Sequence, residues 1–182
     1  MRSTFYTSVL VLKHRIQLRA GENIMSTLIQ GARLTSSEEG KRQNVLGDNQ
    51  RVVLTGEDTG GSYALLENFN LQGMSIPLHL HHNEDETFYV LEGQVEFQIG
   101  VETIKATVGT TVYLPRKTPH AFTIIGEVPA KMLVMVMPAG LEKYFEELSQ
   151  LPPDEPPDME KVMSISARYG IEFLSTPEGP TI

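Results

Sequence analysis

Residues 73–93 read Gly73-Met-Ser-Ile-Pro-Leu-His79-Leu-His81-His-Asn-Glu-Asp-Glu86-Thr-Phe-Tyr-Val-Leu-Glu-Gly93 and indicate the fold of this chain. Side chains two residues apart on a strand share a face, so His79 and His81 are expected to point to the same side. After turn-like residues, Glu86 begins a second β-rich run. A hairpin there can bring its carboxylate back beside the two imidazoles.

Short β-branched and aromatic runs surround this stretch, from residue 51 to about Pro138. Turn residues such as Gly60-Gly61 and Val108-Gly109 separate them, and no helical period is present. The predicted strands are Arg51–Thr55, Tyr63–Asn70, Glu86–Leu91, Gln94–Ile99, Thr111–Leu114, His120–Ile125 and Lys131–Met137. So many short strands in one segment predict an all-β fold, either a sandwich or a barrel.

A third histidine follows much later, beyond the Pro-bounded loop 115–119. His120 joins His79, His81 and Glu86 only if the sheets close on one another, as in a barrel. Three imidazoles and a carboxylate suit one divalent transition metal: iron, manganese, nickel, cobalt, copper or zinc. The alternative is a set of unrelated surface or hydrogen-bonded histidines. His82 has the opposite parity and is expected to face solvent.

Composition narrows the function classes. The chain has 182 residues, with 15 Lys and Arg against 23 Asp and Glu, a net charge of −8. This acidity counts against nucleic-acid binding, which needs cationic surface. The sequence contains no cysteine, which excludes disulfides and thiolate metal sites. No apolar run approaches the ~18–20 residues needed to span a bilayer. We expect a cytoplasmic protein without a membrane or nucleic-acid partner.

Four segments differ in composition. Residues 1–24 form a basic extension, interpreted as dispensable before a second start at Met25, with an organellar targeting segment as the alternative. Residues 25–50 form an arm or linker, 51–140 the barrel and 141–182 a helical tail. In the tail we predict helices over Leu141–Leu151 and Met159–Tyr169, joined by a Pro-rich connector. Residues 171–174 are predicted to pack back on the barrel.

Two spaced motifs resemble those of the cupin superfamily. Gly73-(x5)-His79-x-His81-(x4)-Glu86-(x6)-Gly93 is similar to the first motif, and Gly109-(x5)-Pro115-(x4)-His120 to the second. The tail resembles that of small single-domain bacterial cupins described as quercetinase-like. The resemblance implies a jelly-roll (double-stranded β-helix) barrel with short C-terminal helices. It also implies a metal held by the three histidines and Glu86, and commonly a homodimer.

The second motif departs from the family pattern at two positions. Lys117 stands where the family has Gly, and we interpret it as a turn without positive φ. Ile124 stands where the family has Asn, and we expect it in the core or the pocket wall. Neither position changes the four ligand types, so the departures bear on the substrate and not on the metal.

Strand parity predicts an apolar pocket wall beside the metal. Its predicted residues are Phe88, Val90, Tyr113, Phe122, Ile124 and Met135. Such a wall suits a flat organic small molecule. The first functional hypothesis is a metal-dependent dioxygenase for a flavonol or another enol-bearing aromatic, with Glu86 as both metal ligand and proton acceptor. The alternative is a non-catalytic module that binds or stores a small ligand.

Overall fold

The computed structural model describes residues 32–152 and 157–174. The chain divides into two compact units, Met1–Leu34 and Thr35–Ile182, and the described strands and helices all belong to the second. The predicted extension over residues 1–24 lies outside the described residues. So do 25–31 of the predicted arm, 153–156 of the connector and the end of the tail from residue 175.

Eleven strands and two short helices make up the described part of this unit. The strands are β1 (Lys41–Val45), β2 (Asp48–Leu54), β3 (Ala64–Asn70), β4 (Ser75–His81), β5 (Asp85–Glu92), β6 (Gln94–Ile99), β7 (Glu102–Thr107), β8 (Thr111–Leu114), β9 (His120–Ile125), β10 (Ala130–Met137) and β11 (Ile171–Phe173). The helices are α1 (Leu141–Leu148) and α2 (Met159–Arg168).

The strands form two antiparallel sheets. One has the order β1-β2-β3-β10-β5-β8 and the other β11-β4-β9-β6-β7. Alternate residues of β5, β9 and β10 are buried, which is the period-2 pattern of strands with one face on a core. Rings of Phe88, Phe97 and Phe122 meet in this core, with centroids 5.2–5.9 Å apart. The predicted jelly-roll fold is confirmed.

One glycine connects β5 to β6, where the chain crosses from the first sheet to the second. Gly93 lies between β5 of the first sheet and β6 of the second, with a φ of 74°. A Cβ atom at this position would lie 2.6 Å from the carbonyl oxygen of Pro129. Both the positive φ and the close approach of backbone require glycine, which explains why the first motif ends at this residue.

The prediction of a linker over residues 25–50 is wrong for its last ten residues. Residues 41–50 form β1 and the start of β2, joined by the two-residue turn Leu46-Gly47. Both turn residues have positive φ, as a tight hairpin requires. The polar side chains of β1 misled the interpretation, because this strand is an exposed edge whose stability comes from pairing with β2.

Two other strands, β4 and β7, are absent from the set of predicted strands. The strand β4 was inferred only from the His-x-His spacing, and β7 was not predicted. Five of the six residues of β7 are exposed, so the strand lacks alternating hydrophobicity. It forms because it pairs along its whole length with β6.

The tail packs on the barrel as predicted. Residues Ile171–Phe173 form β11 and pair with β4, in register Ile171 to His81 and Phe173 to His79. The first helix ends at Leu148, three residues earlier than predicted, and Leu151 continues it only as a turn. Among the described residues, no helix is long and apolar enough to cross a membrane.

Candidate metal centre

Four ligand-type side chains from three strands converge between the two sheets. His79 and His81 lie on β4, His120 on β9 and Glu86 on β5. The strand pairing sets His79 directly opposite His120, while Glu86 faces them from the other sheet. One donor atom of each residue lies within 4.8 Å of all the others. The structure therefore brings together the four residues that the spacing predicted, and they could hold one metal ion.

The donor atoms lie close together and are buried. Nε2 of His79 lies 3.1 Å from Nε2 of His81, and Oε2 of Glu86 lies 3.1 Å from Nε2 of His120. The same carboxylate oxygen lies 3.3 Å from Nε2 of His81. All four side chains are at most 6% exposed. Buried groups of this kind are found paired or on a metal, because isolated buried polar groups are costly.

Backbone carbonyls orient two of the imidazoles. Nδ1 of His79 lies 2.8 Å from the oxygen of Pro77, and Nδ1 of His120 lies 2.8 Å from the oxygen of Thr118. A carbonyl oxygen only accepts, so both Nδ1 atoms must carry the proton. The lone pairs of Nε2 are then directed at the centre, which is how histidine ligands are prepared for a metal.

The electrostatics favour a neutral histidine beside an ion pair when no metal is bound. Burial, followed by the nearby His120 and His81, lowers the pKa of His79 to about 3. Burial also acts to lower the pKa of His81, but the carboxylates of Glu86 and Glu84 outweigh it and raise this pKa to about 9. Burial acts to raise the pKa of Glu86, but His81 and His120 hold it well below its usual value.

The loop before His120 is tied to the strands that carry the other ligands. The backbone N–H of Lys117 donates to the carbonyl oxygen of His81 over 2.6 Å. Asp85, next to Glu86, accepts from both the backbone N–H and Nε of Arg116, each at 2.9 Å. Lys117 has a φ of 67°, so the prediction of a turn without positive φ is wrong. Lys117 thus adopts the left-handed backbone conformation that glycine favours.

A cavity of about 150 Å³ adjoins three of the four central residues. His79, His81 and Glu86 form part of its wall. The rest is largely apolar and comes from both sheets and from the tail. These residues include Leu66, Ile76, Phe88, Phe122, Val134, Tyr144, Phe145, Leu148, Met159, Val162, Ile171 and Phe173. A metal at this centre would therefore face a mostly apolar, largely preformed chamber, as small-molecule sites usually do.

The predicted pocket wall is partly wrong. Phe88 and Phe122 line the cavity, but Val90 and Ile124 do not and instead lie in the core, at most 1% exposed. Tyr113 is 56% exposed on the outer face, where its hydroxyl donates to Asp85. Met135 also takes the outer parity, because the buried residues of β10 are the even-numbered ones. Val134 occupies the place that Met135 was expected to fill.

Sequence reasoning missed two contributions to the cavity. The tail supplies several wall residues, and the ring of Phe173 lies 5.7 Å from that of His79. The periodic apolar residues of the tail predict its helices, but they do not indicate which part of the barrel the helices cover. Asp48, Gln50 and Asn68 add a polar end to the wall. Asp48 and Gln50 were missed because residues up to 50 were interpreted as linker. Asn68 was missed because its pairing with Gln50 on β2 could not be predicted without that strand.

His82 takes the position predicted for it. Its side chain is 46% exposed, and Nε2 lies 2.9 Å from a carboxylate oxygen of Glu172 on β11. Because Glu172 belongs to the tail, this contact supports the pairing of β11 with β4 rather than the metal centre.

The residues present fit a divalent transition metal. Their donor set is three imidazole nitrogens and one carboxylate oxygen, which suits first-row metals better than the all-oxygen sets of calcium or magnesium. Backbone carbonyls fix the tautomers of His79 and His120 so that each Nε2 is free to bind a metal. The cavity lies on one side of the centre, and a small molecule in it could reach the metal.

Residues 65–136 match the family model of the cupin domain, which covers β3 to β10 and all four central residues. The fold is shared with solved structures such as that of KdgF from Halomonas sp. That structure matches with a TM-score of 0.55 and 18% identity, over 61% of this chain and 99% of that one. Residues 65–136 therefore form a domain of the cupin superfamily.

Two sequence relatives illustrate this membership. An uncharacterized protein of Methanocaldococcus jannaschii is 38% identical over 66 residues, which are 36% of this chain and 53% of that protein. Quercetin 2,3-dioxygenase of Bacillus subtilis is 27% identical over 113 residues, which are 61% of this chain and 33% of that enzyme. The chain thus spans about half of the first relative and a third of the second.

Proposed function

We propose that this chain is a metal-dependent dioxygenase that acts on a flavonol or another enol-bearing aromatic small molecule. The observation that carries the proposal is the opening of the four-residue centre onto a cavity lined by Phe88, Phe122 and Phe173. Similarity to quercetin 2,3-dioxygenase of Bacillus subtilis supports the reaction class. Flat aromatic rings pack well against such aromatic and aliphatic walls.

His79, His81, His120 and Glu86 would hold the metal in this mechanism. When bound, the metal supplies Lewis-acid and redox chemistry toward an enol oxygen and dioxygen, both of whose atoms enter the product. Phe88 and Phe122 form the wall that orients the ring. Tight positioning of this kind is a large part of catalysis in general.

Glu86 is placed to accept the proton of the substrate hydroxyl. Its carboxylate is ionised, because the neighbouring His81 and His120 hold its pKa well below the usual value. It lies on the cavity wall and can accept a hydrogen bond or a proton from an enol hydroxyl there. The apolar side chains around it exclude water, which strengthens these interactions.

Oxygen uptake tests the proposal. Metal-stripped protein is reloaded in turn with iron, manganese, cobalt, nickel, copper or zinc and mixed with a flavonol panel in an oxygen electrode. We expect consumption that requires both metal and flavonol. Phe122→Ala should raise KM more than it lowers kcat, because it removes ring contact. Ile124→Ala is the matched control, since Ile124 is buried on the same strand but does not line the cavity.

If no combination of metal and flavonol consumed oxygen although flavonols bound measurably, the proposed catalysis would be contradicted. That result would support a cupin that binds or stores a small ligand without turnover. Both outcomes use the same cavity, and they differ only in oxygen consumption.

A further inference from the structure

The cavity has a second polar end, remote from the four central residues along the six-stranded sheet. Glu86 pairs with Val136, which pairs with Ala64 on β3. The next inward row is apolar and runs from Phe88 through Val134 to Leu66. The row after that contains Asn68 and its partner Gln50, and both line the cavity. The chamber is therefore polar at both ends and apolar between them.

A buried carboxylate organises this second end. Asp48 is 4% exposed and accepts from three amide side chains. Nε2 of Gln50 lies 2.6 Å from Oδ2, and Nδ2 of Asn70 lies 2.6 Å from Oδ1. Nδ2 of Asn68 lies 3.0 Å and 2.9 Å from the two oxygens. Because all of these contacts come from N–H donors, the carboxylate fixes the nitrogen end of each amide toward itself.

The oxygen ends of the three amides then differ in one respect. Oδ1 of Asn70 accepts from the backbone N–H of Asn49, and Oε1 of Gln50 accepts from Nε2 of Gln43. Oδ1 of Asn68 is buried and has no hydrogen-bond partner among the described residues. Asn68 is 5% exposed and lines the cavity. A buried acceptor without a donor is costly, so a donor that reached Oδ1 from the cavity would be favourable.

We propose that the ligand of this cavity is a two-ended molecule whose far end is a neutral hydroxyl that donates to Oδ1 of Asn68. The inference rests on the proposed function for the other end, which is an enol oxygen at the metal centre. A hydroxyl fits because one donor satisfies Oδ1 of Asn68, while the oxygens of Asp48 already accept from Gln50, Asn68 and Asn70. The apolar row of Phe88, Val134 and Leu66 would cover the aromatic middle of the ligand.

Three matched flavonols test this: 3-hydroxyflavone, 3,4′-dihydroxyflavone and 4′-fluoro-3-hydroxyflavone. Binding to zinc-loaded full-length protein is measured by calorimetry, since zinc has no redox chemistry of its own. We expect the dihydroxy compound to bind about tenfold more tightly than the other two, the usual effect of one hydrogen bond in a buried site. In Asn68→Ala this preference should fall to less than about twofold.

Asn70→Ala is the matched control. It also removes an amide donor from Asp48, but Asn70 does not line the cavity, so the preference should remain. Equal binding of the three flavonols by the wild type would overturn the inference and leave the proposed function intact. So would a preference that Asn68→Ala and Asn70→Ala reduce alike. Absence of binding by all three flavonols would overturn the proposed function and this inference together.

Discussion

Nδ1 of His81 and Oε2 of Glu84 lie 3.8 Å apart, and each is buried without a hydrogen-bond partner among the described residues. His79 and His120 have backbone carbonyls at the same position of their rings. Glu84 is thus the group placed to orient the third imidazole. A small rotation of either side chain closes the gap to hydrogen-bond length.

We therefore expect Glu84→Leu to lower metal affinity about 10–100-fold, as losses of such outer partners generally do. Glu84→Gln should restore most of it, because the amide oxygen can still accept from Nδ1. Competition with a chromogenic chelator measures the affinity. Unfolding of the metal-free variants provides the control for stability. Equal affinity in the wild type and Glu84→Leu would remove Glu84 from the centre.

Lys117 provides a prediction about stability. Its φ of 67° is strained for a residue with a Cβ. Lys117→Gly should raise the free energy of unfolding by roughly 0.5–1 kcal/mol, because the strain relieved exceeds the entropy cost of glycine. Urea unfolding of the metal-free protein measures this. Lys105→Gly, in the middle of β7, is the opposite control and should destabilise.

Much of the fold was predictable because its signals are local. Gln94–Ile99, Thr111–Leu114 and His120–Ile125 were predicted with the boundaries that they have. Each alternates between a buried and an exposed face. The polar edge strands β1 and β7 were not predicted, because their stability comes from pairing with β2 and β6 rather than from a hydrophobic pattern of their own.

The central residues were predictable for a different reason. A period of two places His79 and His81 on one face of β4. Glu86 lies at the start of β5, the next strand along the chain, which belongs to the other sheet, so the predicted hairpin between the two strands is not formed. Tyr113 and Met135 were placed in the cavity without a residue of known orientation on their own strands, and both lie on the outer face. The polar end at Asn68 depends on a register between β2 and β3 that no local pattern contains.

The ion cluster around Glu67 should contribute stability that depends on pH. Its carboxylate lies 3.2 Å from both Arg51 and Lys131. Burial acts to raise its pKa, but these two cations outweigh burial and lower it from the ordinary 4.5. A carboxyl with a lowered folded pKa stabilises above its unfolded pKa, and the contribution disappears as pH falls through the folded value.

Glu67→Gln should therefore reduce the free energy of unfolding by about 1 kcal/mol at pH 7 and by much less near pH 3. Urea unfolding at several pH values gives the difference. Glu102→Gln, at an exposed position on β7, should show little difference at any pH. A difference for Glu67→Gln that stays constant with pH would contradict the assignment.

Glu86→Gln separates metal binding from proton transfer. The amide still offers an oxygen to the metal but cannot accept a proton near neutral pH. We expect kcat to fall at least about 100-fold, with flavonol binding changed much less. Oxygen uptake and calorimetry on the same metal-loaded preparation provide both numbers. An unchanged kcat would show that Glu86 serves the centre only as a ligand.

The expectations of a homodimer, of a small-molecule partner and of a dispensable extension over residues 1–24 stay predictions. Sedimentation of the full chain and of a chain beginning at Met25 would test the first and the last. If residues 1–24 are dispensable, both chains should sediment alike and unfold at the same temperature.

Metal content tests the central claim most directly. Untagged full-length protein, supplemented with divalent metals and then dialysed, should hold about one metal ion per chain by elemental analysis. His79→Ala/His81→Ala should hold almost none and unfold at a lower temperature, because a ligand bound only by the folded state stabilises it. His82→Ala, at the residue that follows β4 and faces solvent, should hold as much metal as the wild type. Equal metal in the wild type and the double variant, or none in either after supplementation, would contradict the assignment of His79, His81, Glu86 and His120 as a metal centre.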